Sequence, residues 1–134
     1  MNRLEKLKPL ALLVLRCALG LTFLYHGWPK LFGKTQVFID SFERMGLPAW
    51  TVYLAGVMEV FGGGLLVMGL FTRVAGLVLA VHMCVALWKF NLAEGLLAVG
   101  EYEFPLMLLA GAFALATTGA GVISFDRAIF KDKA

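Results

Sequence analysis

Apolar residues fall into long runs broken by short polar intervals. The runs extend from about Leu10 to Phe32, Pro48 to Leu70, Thr72 to Phe90 and Phe104 to Phe125. Each holds about 19–23 residues, enough at about 1.5 Å per residue to cross a hydrocarbon core of about 30 Å. None alternates apolar and polar with the period of two that a barrel strand needs. Since only helices and closed barrels satisfy their backbone in lipid, the pattern predicts helices. The expected fold is therefore all-α, a single domain over residues 1–134 forming an integral-membrane four-helix bundle. Gly69-Leu70-Phe71-Thr72-Arg73 leaves room only for a tight turn, which makes the second and third spans antiparallel neighbours. Between the first two spans, Val37, Phe38, Phe42 and Met45 recur at helical spacing among Lys34, Asp40, Glu43 and Arg44. That spacing predicts a short amphipathic helix lying in the membrane interface, ended by Gly46-Leu47-Pro48.

Composition supports lipid as the solvent. The chain is 60% hydrophobic and 16% charged, with a mean hydropathy of +0.84, whereas soluble domains are about half apolar and a quarter charged. The net charge of +3 does not indicate nucleic acid, because the cations sit at the ends of apolar runs. Arg3, Lys6, Lys8, Arg73, Arg127, Lys131 and Lys133 fall on one side, and Lys30, Lys34, Arg44 and Lys89 on the other. The positive-inside rule then predicts both termini in the cytoplasm. Trp28, Trp50, Tyr53, Trp88 and Tyr102 fall near the outer interface, and Glu94, Glu101 and Glu103 face outward. The loop from Asn91 to Gly100 carries glycine and can fold back toward the membrane. The basic start and the Ala18-Leu19-Gly20 step resemble a signal peptide, but Arg16 interrupts the run and the apolar pattern continues to Phe32, so an uncleaved first span is expected. Cys17 and Cys84 lie within apolar runs and form no CxxC pair, so they read as small apolar residues.

Ionisable groups inside spans are costly and usually face the protein interior. Five stand out: Arg16, His26, Glu59, His82 and Glu103. At about 100° per residue, Arg16, Gly20, Phe23, Gly27 and Lys30 share a stripe, with His26 at its edge. Glu59 shares a face with Gly56, Gly62, Gly63 and Gly69; Glu103 aligns with Met107, Ala110, Ala114, Thr117 and Gly121. Polar groups thus accompany the small residues that let membrane helices approach. The expected site gathers His26, Lys30, Glu59 and Glu103 in the outer half of the membrane as ligand-binding residues. Glu59 and His26 are its expected catalytic residues, Glu59 as a proton relay and His26, with Lys30, as a hydrogen-bonding group. A carboxylate at Glu59's depth either pairs with a cation or takes up a proton, so an interhelical ion pair that only holds the bundle together stands beside the ligand reading. Arg16, deeper on the inner side, is expected to pair with Asp126 or to cap a turn near Thr72. His82 reads as a structural hydrogen-bonding residue, on the opposite face of its helix from Arg73. No metal site is expected. Ligand clusters with zinc spacing are lacking, and His26 and His82 differ in depth by about 10 Å, which disfavours shared haem ligation.

A set of motifs then fits a known family. His26-Gly27-Trp28-Pro29-Lys30-Leu31-Phe32-Gly33 closes the first span, and Gly46-Leu47-Pro48 opens the second, which carries Glu59-Val60-Phe61-Gly62-Gly63. Gly69-Leu70-Phe71-Thr72-Arg73, Glu101-Tyr102-Glu103-Phe104-Pro105 and Gly121-Val122-Ile123-Ser124-Phe125-Asp126 follow in order. From about Leu12 to Asp126 the chain resembles the DoxX family of small bacterial inner-membrane proteins. The resemblance implies a four-helix fold and singles out His26, Lys30, Glu59, Arg73, Glu103 and Asp126; Arg73 joins Arg16 and Asp126 as an expected structural ion-pairing residue. Relatives are associated with thiosulfate:quinone oxidoreductases, quinone or catechol resistance and oxidative-stress complexes. Two functions follow as expectations. One is a redox-linked subunit of a membrane oxidoreductase that binds a quinone or a similar hydrophobic molecule. The other is a non-enzymatic scaffold, assembly partner or small-molecule carrier. Either implies the lipid bilayer and a protein partner or a second copy as neighbours.

Overall fold

The structure is a computed structural model that describes residues 2–91, 97 and 99–131. Its elements are α1 (Asn2–Glu5), α2 (Lys8–Leu31), α3 (Thr35–Arg44), α4 (Trp50–Met68), α5 (Thr72–Ala86, continued by a π-helical turn Leu87–Asn91), α6 (Val99–Thr118) and α7 (Phe125–Phe130). The expected return of the 91–100 loop turns on residues 92–96 and 98, outside the described residues. So do Glu94, Lys133 and the side chain of Glu101.

Among the described residues, three helices are long and apolar enough to cross a membrane: Lys8–Leu31, Trp50–Met68 and Thr72–Lys89. In α6 the apolar stretch is shorter, Tyr102–Thr118. The fourth run was expected to extend from 104 to 125; the helix instead begins at Val99 and stops at Thr118. Gly119 and Gly121, with φ of 83° and 84°, take a left-handed conformation that no helix continues. Ser124 then starts α7, its side chain accepting the Arg127 N–H at 3.1 Å.

Helix α2 packs chiefly against α4, and α5 against α6, with α4 and α5 joined by the tight turn. Glycine makes the first contact possible. Gly20 and Gly27 on α2 face Gly63 and Gly56 on α4. A Cβ on Gly20 would lie 2.5 Å from the Gly63 carbonyl oxygen, and one on Gly27 would lie 2.7 Å from the Glu59 Cβ. Backbones therefore approach where lipid offers no hydrophobic drive and dispersion packing must hold the helices. Leu19, Phe23, Leu66, Leu79 and Leu115 fill the centre, with Ala75, Ala80 and Ala112 between them. Outward faces remain apolar, as at Val14, Leu21, Phe61, Val74, Val81 and Phe113. That is the inverse of a soluble protein's surface and what a lipid-covered one requires.

The expected face of the fourth span is corrected here. Met107 and Ala110 are exposed, whereas Leu108, Ala112 and Leu115 are buried. Gly76 of α5 sets this rotation, since a Cβ there would meet the Ala112 oxygen at 2.8 Å.

Candidate functional site

The close seating of α2 on α4 brings the last turn of α2 over Glu59. Lys30 Nζ lies 2.6 Å from Glu59 Oε1 and 2.7 Å from Oε2. From α5, His82 Nε2 reaches the same Oε1 at 3.3 Å. The side chains of Lys30, Glu59 and His82 are only 12%, 6% and 12% exposed, so three helices converge on one buried carboxylate. A buried charge persists only when paired and hydrogen-bonded, and here the ammonium supplies the pairing. A neutral His82 that donates to Oε1 carries its proton on Nε2, which leaves Nδ1 as an acceptor.

Beside this triad lies a cavity of ≈ 800 Å³ between α2, α4, α5 and α6, with α3 across its top. Phe23, Phe38, Phe42 and Phe104 give it aromatic walls; His26, Lys30, Glu59 and His82 give it polar groups. An apolar concavity with a few convergent polar groups is the common form of a small-molecule site. Lys30 Nζ also sits 5.4 Å from the Phe38 ring centroid, so its charge is held by a carboxylate on one side and a π-face on the other. His26 is exposed at the rim, where its ring lies 5.5 Å from Phe104. It also borders a second, open depression with Tyr25, Trp28 and Lys34.

Of the expected ligand-binding residues, His26, Lys30 and Glu59 thus share one cavity. Glu103 does not join them. It is exposed on α6, and the cavity wall there is built by Phe104, Pro105 and Leu108. The residue that completes the site is His82, whose expected role was structural hydrogen bonding. Its depth matching that of Glu59 was the signal, since both lie mid-span on helices joined by a tight turn.

Among the described residues, Arg16, Arg73 and Asp126 form no direct ion pair, though the Asp126 charge acts on Arg16. All three bond to backbone groups at or beside helix ends. Arg16, 1% exposed, donates to the Leu66 carbonyl at 3.4 Å and to that of Ile123. The Asp126 carboxylate accepts the N–H groups of Phe71 at 2.6 Å and Thr72 at 2.9 Å, at the start of α5. Arg73 donates to the carbonyls of Thr117 and Thr118 at the end of α6. Cations at helix C-termini and a carboxylate at an N-terminus satisfy orphan backbone groups and oppose the helix dipoles.

Comparison with known proteins adds to this geometry. The DoxX family profile matches residues 11–92. The chain is 33% identical over 121 residues to CatD of Bacillus subtilis, a protein provisionally named an oxidoreductase, covering 90% of this chain and 88% of that one. It is 33% identical over 133 residues to the Escherichia coli inner membrane protein YqjF, covering 96% and 98%. With the E. coli inner membrane protein YphA it shares 33% over 136 residues, covering 90% and 91%. No solved structure matches the chain. A profile that matches more than half of the sequence, and relatives a third identical over nine-tenths of it, establish that this chain is a membrane protein of the DoxX family.

Proposed function

We propose that the protein is an inner-membrane four-helix bundle in which α6 is the fourth span, α3 lies in the interface, and both termini are cytoplasmic. Its cavity binds a quinone or a similar small aromatic molecule as the membrane subunit of a redox system. The observation that carries this reading is an aromatic-walled cavity in which a lysine and a histidine each lie within 3.3 Å of one buried carboxylate. The Lys30 ammonium suits a carbonyl oxygen, and Glu59 with His82 suits the movement of a proton to or from it. Reducing a quinone to its quinol takes two electrons and two protons. The electrons are assigned to a redox partner protein; the two protons come from water and pass by way of the Glu59–His82 contact. The provisional naming of CatD as an oxidoreductase agrees with this assignment.

Titrating the purified protein in detergent with a short-chain benzoquinone tests it. Saturable binding is expected, weakened by about tenfold or more in Glu59→Gln, as befits loss of a hydrogen-bonded charge. No saturable binding by the unaltered protein overturns the reading. A second reading, a non-enzymatic scaffold or assembly partner, is favoured by one observation: both oxygens of Glu59 are already bonded to Lys30, which clamps α2 to α4. That role predicts that Glu59→Gln weakens the fold without any ligand to lose.

A further inference from the structure

The cavity has walls of two kinds. Toward α2 and α6 they include buried side chains such as Phe23 and Leu108, with His26 and Phe104 exposed only at the rim. Toward α4 and α5 the lining residues Leu54, Leu77, Val81 and Val85 are 48%, 56%, 57% and 55% exposed. A pocket closed by protein buries its walls. These residues line the cavity and face outward at once, so the cavity continues through the seam between α4 and α5. The two helices are tight near their turn, where a Cβ on Gly62 would lie 2.9 Å from Leu79. Beyond the Glu59–His82 contact the space between them is lined by Leu54 and Ala55 on one side and Val85 and Ala86 on the other. Among the described residues, those that line this seam past the triad are not ionisable, and what lies outside an apolar helix face in a membrane protein is hydrocarbon.

We propose that the ligand is a membrane-dissolved amphiphile with a polar ring and an aliphatic chain. The ring seats on Lys30, Glu59 and His82, and the chain leaves sideways between α4 and α5 into the lipid. This rests on the ring-binding reading above and adds the chain and its exit. Size supports it. A cavity of ≈ 800 Å³ is right for a drug-sized molecule, so it takes the ring and the first part of a chain, and a longer chain continues outside. A chain that stays in hydrocarbon also loses no favourable environment on binding, and the ring alone has to exchange partners.

The test uses the full chain in lipid nanodiscs of phosphatidylethanolamine and phosphatidylglycerol, with calorimetry as the readout. The two probes are a dimethoxybenzoquinone bearing a decyl chain and the same ring without the chain. Leu54→Trp and Val81→Trp narrow the seam from opposite sides at outward positions, and a melt of each confirms that it folds. The expected result is that the decyl probe binds about tenfold or more weakly in both variants while the ring-only probe changes by less than about twofold. If the two probes respond alike, or if the decyl probe is unaffected by both variants, the sideways exit is overturned and the ring site stands. If neither probe binds the unaltered protein, the quinone reading falls and the exit with it.

Discussion

Replacing Glu59 by Gln removes the carboxylate that meets the Lys30 ammonium at 2.6 and 2.7 Å. With the Lys30 side chain 12% exposed, the charge left behind has little access to water. Breaking a buried ion pair from one side costs about 3–5 kcal/mol. Lysine's flexible stem lets the ammonium move toward the outer surface, so the lower end, about 3 kcal/mol, is expected here. At roughly 3–4 °C per kcal/mol, the melting temperature of the purified protein in detergent should fall by about 10 °C. Lys30→Met should do comparable damage by stranding the carboxylate, with His82 as its remaining partner. The double variant leaves neither charge behind. Its loss should be well below the sum of the two, with a coupling of about 2–3 kcal/mol. Scanning fluorimetry or circular dichroism melts of the four proteins complete the cycle. Additive losses, or single variants within about 1 kcal/mol of the parent, would refute the claim that this pair joins α2 to α4.

The remaining predictions use other parts of the fold. Gly63→Ala puts a Cβ 2.6 Å from the Gly20 carbonyl oxygen and should destabilise by about 1–3 kcal/mol or more. Gly64→Ala meets nothing within 4 Å and should be neutral or stabilise by up to about 1 kcal/mol; melts of the two side by side check both. Asp126→Ala strands the N–H groups of Phe71 and Thr72, so about 1–2 kcal/mol should be lost, with faster hydrogen exchange at the start of α5. His82→Phe keeps the ring volume and the Lys30–Glu59 pair, so it should lower quinone affinity in calorimetry while leaving the melt within about 1 kcal/mol of the parent.

The long apolar runs made α2, α4 and α5 legible, because lipid imposes length and apolarity on a helix whatever it packs against. The amphipathic spacing from Val37 to Met45 likewise marked α3. Ends were harder. A glycine is compatible with both a helix interior and a left-handed stop, and nothing local distinguishes Gly62, inside α4, from Gly119, which ends α6. The site was half legible. Lys30 and Glu59 share faces with Gly27 and Gly56, and those glycines are what bring the two helices together. That His82 lines the cavity and Glu103 does not was hidden because a helical wheel gives faces within one helix but not its rotation against the next. The Gly69–Phe71 turn sets that rotation for α5, with φ of 70° at Gly69 and 50° at Phe71. The roles of Arg16, Arg73 and Asp126 were hidden for a related reason. Their partners are backbone groups at helix ends, and a sequence shows charges but not where carbonyls emerge.

Photolabelling with an azido-benzoquinone, followed by peptide mass spectrometry, tests the central claim most directly. The account predicts label on the segments that carry His26 and Lys30, Glu59, and His82, suppressed by excess unlabelled quinone and absent from Glu59→Gln. Label spread over the outward apolar faces, or label that unlabelled quinone does not suppress, would contradict it.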